Sequence, residues 1–376
     1  MEGDNQHGQD VTEFRAGHEF DVKKLESYLV QHVSDLVAPI ELKQFKLGQS
    51  NPSFFVVDAK GSKFVVRKKP PGSLISKQAH AVEREYKVIR ALSQNSNYPV
   101  PKAYVLCEDS SVIGSPFFVM SFIAGRIFSS PLLPTVPYND RRTYYFEMID
   151  QMAHLHKIDV KKVGLEDYGR LGGYYERQLK NLSNLSKVQG SVKDKTGNPI
   201  GPMTRQDELE DWLRKNMVAD EVTLFHGDIK SDNVIYDMNE PKIVAVLDWE
   251  LSTIGHPLAD LAHTPQMWYT PAPKGLRDAP RPLPIPEADE LIRRYCQTAG
   301  REYPIKNWAF CIVFAMFRGT VIRQGIAARV ALGQNNSAYA ANYVNFRELG
   351  DICLEVLDGG PLSKLTGFGS SASQKL

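Results

Sequence analysis

LFHGDIKSDNVIYDMNEPKIVAVLDWE, residues 224–250, is the stretch that decides how this chain is read. It sets Asp228 on a loop, Asn233 five residues later, and Asp248 at the end of an apolar run. Val234, Ile235 and Tyr236 read as a short strand, residues 237–241 are rich in turn formers, and residues 243–247 are a second β-branched strand running into Asp248. The expected unit is a hairpin with carboxylates and an amide gathered at one end. Such hard oxygen donors suit Mg²⁺, which takes one or two carboxylates together with substrate phosphates. Phosphoryl transfer asks for positioning, metal charge and a base for the acceptor hydroxyl. The pattern His226-x-Asp228-x-Lys230-x-x-Asn233 followed by Asp248 supplies all three. A surface hairpin whose Asp and Asn merely favour turns could carry the first part of that pattern, and the second Asp at the strand exit separates the two readings.

Upstream, residues 42–60 read as a strand, a turn through Gly48-Gln49-Ser50-Asn51-Pro52-Ser53, and a second strand at 54–57. A small-residue turn can present backbone N–H groups to phosphates, which makes Ser50, Asn51 and Ser53 candidate nucleotide-lid residues; an ordinary hairpin turn has the same composition. In the next strand, residues 62–69, alternation sends Arg67 and Lys68 to opposite faces, so only one can point into a cleft. A helix at 79–92 puts Val82, Tyr86, Ile89 and Leu92 on one stripe, and residues 22–37 form an amphipathic helix ahead of it. A turn at Gly114-Ser115-Pro116 leads into a strand at 117–120. Beyond it the chain turns helical, at 141–156 and 168–186. Thr204 with Asp207 resembles a capping box opening the helix that holds Leu209, Trp212 and Leu213. Residues 270–286 contain six prolines, and helices start near 287, 305 and 338. His154 and His156 are two apart and lie on different helix faces, so they are not a ligand pair.

The chain has 376 residues, more than one usual domain, which suggests two lobes. Its 45 basic and 44 acidic residues leave no field for steering nucleic acid, so no nucleic-acid partner is expected. The longest apolar run, 308–317, suits a buried helix and is too short to insert in a membrane. The four cysteines have no metal-ligand spacing and read as reduced core residues of an intracellular protein.

Four segments together resemble one family: HGDIKSDNV (226–234), VLDWELSTIGHPLADLA (246–262), RKKPPG (67–72) and GQSNPSF (48–54). They are similar to the aminoglycoside phosphotransferase and choline-kinase-like branch of the protein-kinase-like fold. The likeness is greatest to the phosphotransferase domains that eukaryotes fuse to, or keep beside, acyl-CoA dehydrogenases. The resemblance implies an α+β bilobal fold. A small antiparallel-sheet nucleotide-binding lobe would span 19–122 and a larger helical catalytic and acceptor-binding lobe 123–358, with a disordered tail at 1–18 and a flexible one at 359–376.

It also implies ATP and Mg²⁺ as cofactors and a small-molecule hydroxyl acceptor. Asp228 would take the hydroxyl proton, Asn233 and Asp248 would hold the metal, Lys230 would neutralise charge on the transferred group, and His226 would fix the loop. Arg67, where many relatives have Lys, would hold the nucleotide phosphates and pair with Glu85, with Glu83 as the other candidate. Ser121 and Ile123 would offer hinge backbone groups to adenine, and Met120 would sit behind the base. Asp260 would tie down the catalytic loop, while Tyr174, Tyr175, Arg177 and Gln178 are either acceptor-side or packing residues. The acceptor implied is a hydroxy acid or hydroxyacyl-CoA, with a functional link to an acyl-CoA dehydrogenase; the wider family allows aminoglycosides, choline-like amines and other small alcohols. A protein kinase is disfavoured, because Asp248-Trp249-Glu250 stands where Asp-Phe-Gly would and no Ala-Pro-Glu occurs. A silent nucleotide-binding scaffold would have no reason to keep every metal and base residue. The C-terminal Gln-Lys-Leu differs at its first position from the Ser-Lys-Leu peroxisomal address, so a cytoplasmic or peroxisomal location is expected.

Overall fold

The computed structural model describes residues 9–15, 17–46, 51–70, 81–272, 274–333 and 345–365. Ser50, the helix start expected at 338 and the C-terminal Gln-Lys-Leu lie outside these residues. The chain forms two compact units, one made of residues 1–169, 226–253 and 284–286, the other of 170–225, 254–283 and 287–376. Residues 123–169 and the hairpin at 226–253 thus group with the N-terminal part, where a single boundary at 122/123 was expected.

The first unit starts with β1 (Val11–Thr12), α1 (Val22–His32), β2 (Glu41–Phe45), β3 (Ser53–Val57), β4 (Lys63–Lys68), α2 (Val82–Asn95) and β5 (Ala103–Cys107). A one-turn α3 (Ser110–Ile113), β6 (Phe117–Ser121) and α4 (Arg141–His156) follow. Six strands make one antiparallel sheet in the order β1-β2-β3-β4-β6-β5. The period-two pattern builds its core: Phe54, Val56, Phe64, Val66, Phe117 and Val119 turn one way and pack with Leu25 and Leu29 of α1 and with Val33, which caps it. Helix α1 begins where the Asp21 carboxylate accepts from the Lys23 and Lys24 N–H groups. The same alternation settles the choice between the two basic residues of β4. Lys68 goes to the α1 face, 5 % exposed, with its ammonium 5.6 Å from the Phe20 ring centre, and Arg67 goes to the opposite face. Two expectations are corrected here. Residues 11–12, placed in a disordered tail, pair as Val11 with Phe45 and Thr12 with Gln44, and the unforeseen β5 closes the far edge of the sheet.

After β6 the chain reaches Gly125 and Arg126, and Arg126 is clipped to Tyr236: its N–H donates to Tyr236 O at 2.8 Å and its carbonyl accepts from Tyr236 N at 2.9 Å. Its guanidinium adds bonds to Asp237 O at 2.8 Å and Glu240 O at 3.0 Å. The backbones approach so closely that a Cβ on Gly125 would lie 2.3 Å from both Ile235 Cγ2 and Tyr236 O.

The second unit holds α5 (Tyr174–Gly190), α6 (Gln206–Lys215) and β7 (Thr223–Phe225), after which the chain supplies β8 (Val234–Tyr236) and β9 (Ile243–Val246) to the first unit. It resumes with β10 (Thr253–Gly255), α7 (Pro257–His263), α8 (Gln266–Tyr269), α9 (Ala288–Ala299), α10 (Trp308–Ala331) and α11 (Arg347–Cys353). The capping box expected at Thr204 does not form: α6 starts at Gln206 after Arg205 in the left-handed region at φ 49°. The apolar run at 308–317 belongs to a 24-residue helix, which by length and composition alone could cross a membrane. Of its apolar window 72% is buried inside the protein, against α5, α7 and α11, as in the core helix of a globular unit. Residues 361–365, expected to be loose, form a turn whose Leu362 is buried.

Gly125→Ala should drive a methyl group into the Arg126–Tyr236 clip and destabilise the protein by on the order of 1–3 kcal/mol. Chemical unfolding compared with wild type checks this, with an unchanged midpoint contradicting the close approach.

Candidate active site

The β8/β9 hairpin pairs Val234 with Val246 and Ile235 with Ala245, and Leu247 N donates to Asn233 O at 2.8 Å. That last bond brings the asparagine that precedes β8 beside the residues that follow β9. The loop before β8 is pinned from inside by His226, which is fully buried. Its Nδ1 accepts from Asp228 N at 3.2 Å, so Nε2 carries the proton and donates to Leu247 O at 3.0 Å. With both ring nitrogens engaged by backbone, His226 is a brace for the loop.

Asn233 completes the loop by donating from Nδ2 to both Asp228 O and Asp228 Oδ2, each at 2.9 Å. Because both partners only accept, the nitrogen of this amide is identified by its bonds, and Oδ1 is left as its acceptor end. Lys230 Nζ stands 3.2 Å from Asp228 Oδ2 and 3.6 Å from Asp232 Oδ2. Burial opposes the Lys230 charge, but the two carboxylates more than offset it and raise its pKa.

Asp248 follows β9 in the left-handed region at φ 64°, ψ 61°, a conformation that Asp tolerates better than most residues. This turn aims its carboxylate at β4, where Arg67 Nη2 meets Asp248 Oδ1 at 2.7 Å. Arg67 Nε lies 2.7 Å from Glu85 Oε2 of α2, an ion pair by distance whose N–H is not aligned as a hydrogen bond. Glu83 instead lies 4.0 Å from Lys69, so Glu85 is the inward partner. Glu85 is 1 % exposed, and burial pushes its carboxyl from the ordinary 4.5 up to about 7, with Arg67 opposing the rise and the neighbouring Asp248 and Glu250 adding to it. Burial also works against the Arg67 charge, yet these carboxylates hold its pKa above the ordinary value.

A cleft of about 170 Å³, open to solvent, lies beside this triangle. Val65, Met120, Ile127, Ile235 and Leu247 give it apolar walls, Ser121 and Ile123 lie along one side, and Arg67, Glu85, Asn233 and Asp248 close one end. Ser53 also lines it. Asn51 is 1 % exposed, is not part of the lining, and neither polar atom of its side chain has a hydrogen-bond partner among the described residues. Tyr174 and Tyr175 are packing residues of the second unit: Tyr174 packs on Phe225, and Tyr175 on His256, Phe310 and Phe314. Sequence reasoning missed Gln9, which lines the cleft from a segment taken for a tail; the only signal was the short β-favouring Val11–Thr12 pair.

Among the described residues no cluster of three or more His, Cys, Asp or Glu could hold a metal by itself. The oxygen donors offered, Asn233 Oδ1 and Asp248, fit a cation that completes its shell with substrate phosphates and water.

A six-stranded sheet with this helix glutamate, this hairpin and a cleft beside them is the fold of protein-kinase-like phosphotransferases. The chain belongs to the phosphotransferase enzyme family, whose sequence profile matches residues 41–304. It is 37% identical over 340 residues to acyl-CoA dehydrogenase family member 11 of Rattus norvegicus, a match covering 88% of this chain and 42% of that protein. The chain therefore spans less than half the length of the curated relatives it matches. A Ralstonia eutropha JMP134 structure assigned as an aminoglycoside phosphotransferase superposes with a TM-score of 0.77 at 36% identity, covering 91% of this chain and 99% of that one. Aminoglycoside phosphotransferase APH(4)-Ia, solved in a ternary complex with AMP-PNP and hygromycin B, shares the fold at 15% identity and a TM-score of 0.56, covering 90% and 99%.

Because the folded pKa of Glu85 is raised, its contribution to stability is complete below pH 4.5 and is lost as the pH rises through about 7. Between pH 4.5 and 7.5, wild type should lose about 2–3 kcal/mol relative to Glu85→Gln, which does not titrate there. Urea unfolding across that range is the measurement, and parallel pH profiles for the two proteins would refute the assignment.

Proposed function

We propose that this chain transfers the γ-phosphoryl group of ATP, with Mg²⁺, to the hydroxyl of a small molecule, a hydroxy acid or a hydroxyacyl-CoA. The observation that carries this reading is the Asn233 amide, which fixes the Asp228 carboxylate through its nitrogen while its oxygen stays available to a cation. Asp228 accepts the acceptor's hydroxyl proton as the new O–P bond forms and the bond to the ADP oxygen breaks. Asn233 and Asp248 hold the Mg²⁺, which when bound offsets the negative charge of the phosphates. Lys230 balances charge on the transferred group, and Arg67, braced by Glu85, grips the nucleotide's phosphates. Ser121 and Ile123 take the base edge, with Met120 behind it and the Ser53 turn over the phosphates.

The AMP-PNP complex of APH(4)-Ia supports nucleotide use. The likeness to acyl-CoA dehydrogenase family member 11 supports an acyl-CoA-linked acceptor and a functional link to a dehydrogenase. An intracellular setting, cytoplasmic or peroxisomal, belongs to the same proposal and is supported by four cysteines that are all free and buried.

The test is ADP release with Mg-ATP across hydroxyacyl-CoAs, free hydroxy acids, aminoglycosides and choline, run on wild type and on Asp228→Ala. Hydroxyacyl-CoAs or hydroxy acids should stimulate turnover, and Asp228→Ala should lower it roughly 10²–10⁴-fold while leaving Mg-ATP binding in place. Turnover that survives in Asp228→Ala would remove the base assignment. Tight Mg-ATP binding without turnover on any acceptor would favour a silent nucleotide-binding scaffold.

A further inference from the structure

We propose that Gln9 selects adenine over guanine nucleotides at the cleft; this rests on the nucleotide-binding reading above. The residues that lead into β1 bring Gln9 to the segment that follows β6. Gln9 Nε2 donates to Ile123 O at 2.8 Å, and Gln9 Oε1 accepts from Gly125 N at 3.3 Å. The residues around Gln9 are anchored to the sheet: Val11 and Thr12 pair with Phe45 and Gln44, Lys46 N donates to Asp10 O at 2.9 Å, and Arg15 N donates to Gln44 Oε1 at 2.9 Å. The side chain therefore presents its amide to the cleft from a fixed backbone.

The two purines ask different things of this segment. Adenine offers the N6–H donor beside the N1 acceptor, which matches the carbonyl of Ser121 followed by the N–H of Ile123. That N–H has no hydrogen-bond partner among the described residues. Guanine offers the O6 acceptor beside the N1–H and N2–H donors. To lie along the same segment it would give O6 to the Ile123 N–H and needs an acceptor for N1–H, and the neighbouring acceptor is the Ile123 carbonyl. Gln9 already occupies that carbonyl with an NH₂ group. The oxygen keeps a second lone pair, but Gln9 on its cleft side sets an NH₂ donor against the incoming guanine N1–H and N2–H, so the bond guanine makes there is weakened. Adenine makes no demand on that carbonyl.

The experiment is calorimetric binding of Mg-ATP and Mg-GTP to wild type, Gln9→Ala and Gln9→Glu, with thermal unfolding of each. Gln9→Ala uncovers the Ile123 carbonyl, so the GTP-to-ATP ratio of Kd values should fall about tenfold with ATP affinity nearly unchanged. Gln9→Glu places an acceptor where the donor stood and should lower the ratio further. A ratio unchanged in both folded variants overturns the proposal. So does equal tightening of both nucleotides, which would make Gln9 a plug over the cleft. Wild type that binds neither nucleotide removes the nucleotide reading and this inference with it, an outcome distinct from an unchanged ratio in a protein that binds ATP.

Discussion

One guanidinium holds three elements of the first unit together. Arg67 on β4 reaches Glu85 of α2 and Asp248 after β9, so the sheet, its helix and the β8/β9 hairpin share a single, largely buried guanidinium. A buried charge is tolerated only when paired, and removing one partner of such a group typically costs 3–5 kcal/mol. Arginine suits the position because its planar fork can meet two carboxylates from different directions at once, which a lysine ammonium does less well. The rise of the Glu85 carboxyl to about 7 comes first from its own burial, with Asp248 and Glu250 adding to it and Arg67 opposing it. A phosphate or a cation brought to this place would enter a site already arranged around opposing charges.

Below the triangle the wiring uses backbone. His226 spends both ring nitrogens on the loop and on Leu247, Asn233 spends its amide nitrogen on Asp228, and the Arg126 clip holds β8 to the segment leaving the sheet. Asp228 and Asp248 sit on short loops, but the two loops are tied to each other at several points and, through Arg67, to β4, which is how loops can hold side chains to the precision that chemistry needs.

The hairpin at 234–246 was legible because β-branched runs, a turn-rich break and polar ends are local signals. The inward choice of Arg67 over Lys68 was not, since alternation gives two faces without naming the core; the packing of Phe64 and Val66 on α1 names it. Glu85 rather than Glu83 was likewise a matter of which face of α2 meets β4. β1 and Gln9 were lost altogether. A two-residue strand has almost no periodicity, and its order comes from pairing with a partner more than thirty residues away. The start of α6 was misplaced because Thr204 and Asp207 have the composition of a cap, while the turn at Arg205 adopts a positive φ that composition does not reveal.

The central claim is that Arg67 and Asp248 hold each other in readiness for the phosphates and the metal of a nucleotide. A crystal structure with Mg²⁺ and a non-hydrolysable ATP analogue tests it most directly. The account predicts Arg67 still on Glu85 but turned from Asp248 to a phosphate oxygen, with Asp248 and Asn233 Oδ1 on the metal. An analogue bound in the cleft with the Arg67–Asp248 pair intact and the metal held elsewhere would contradict it.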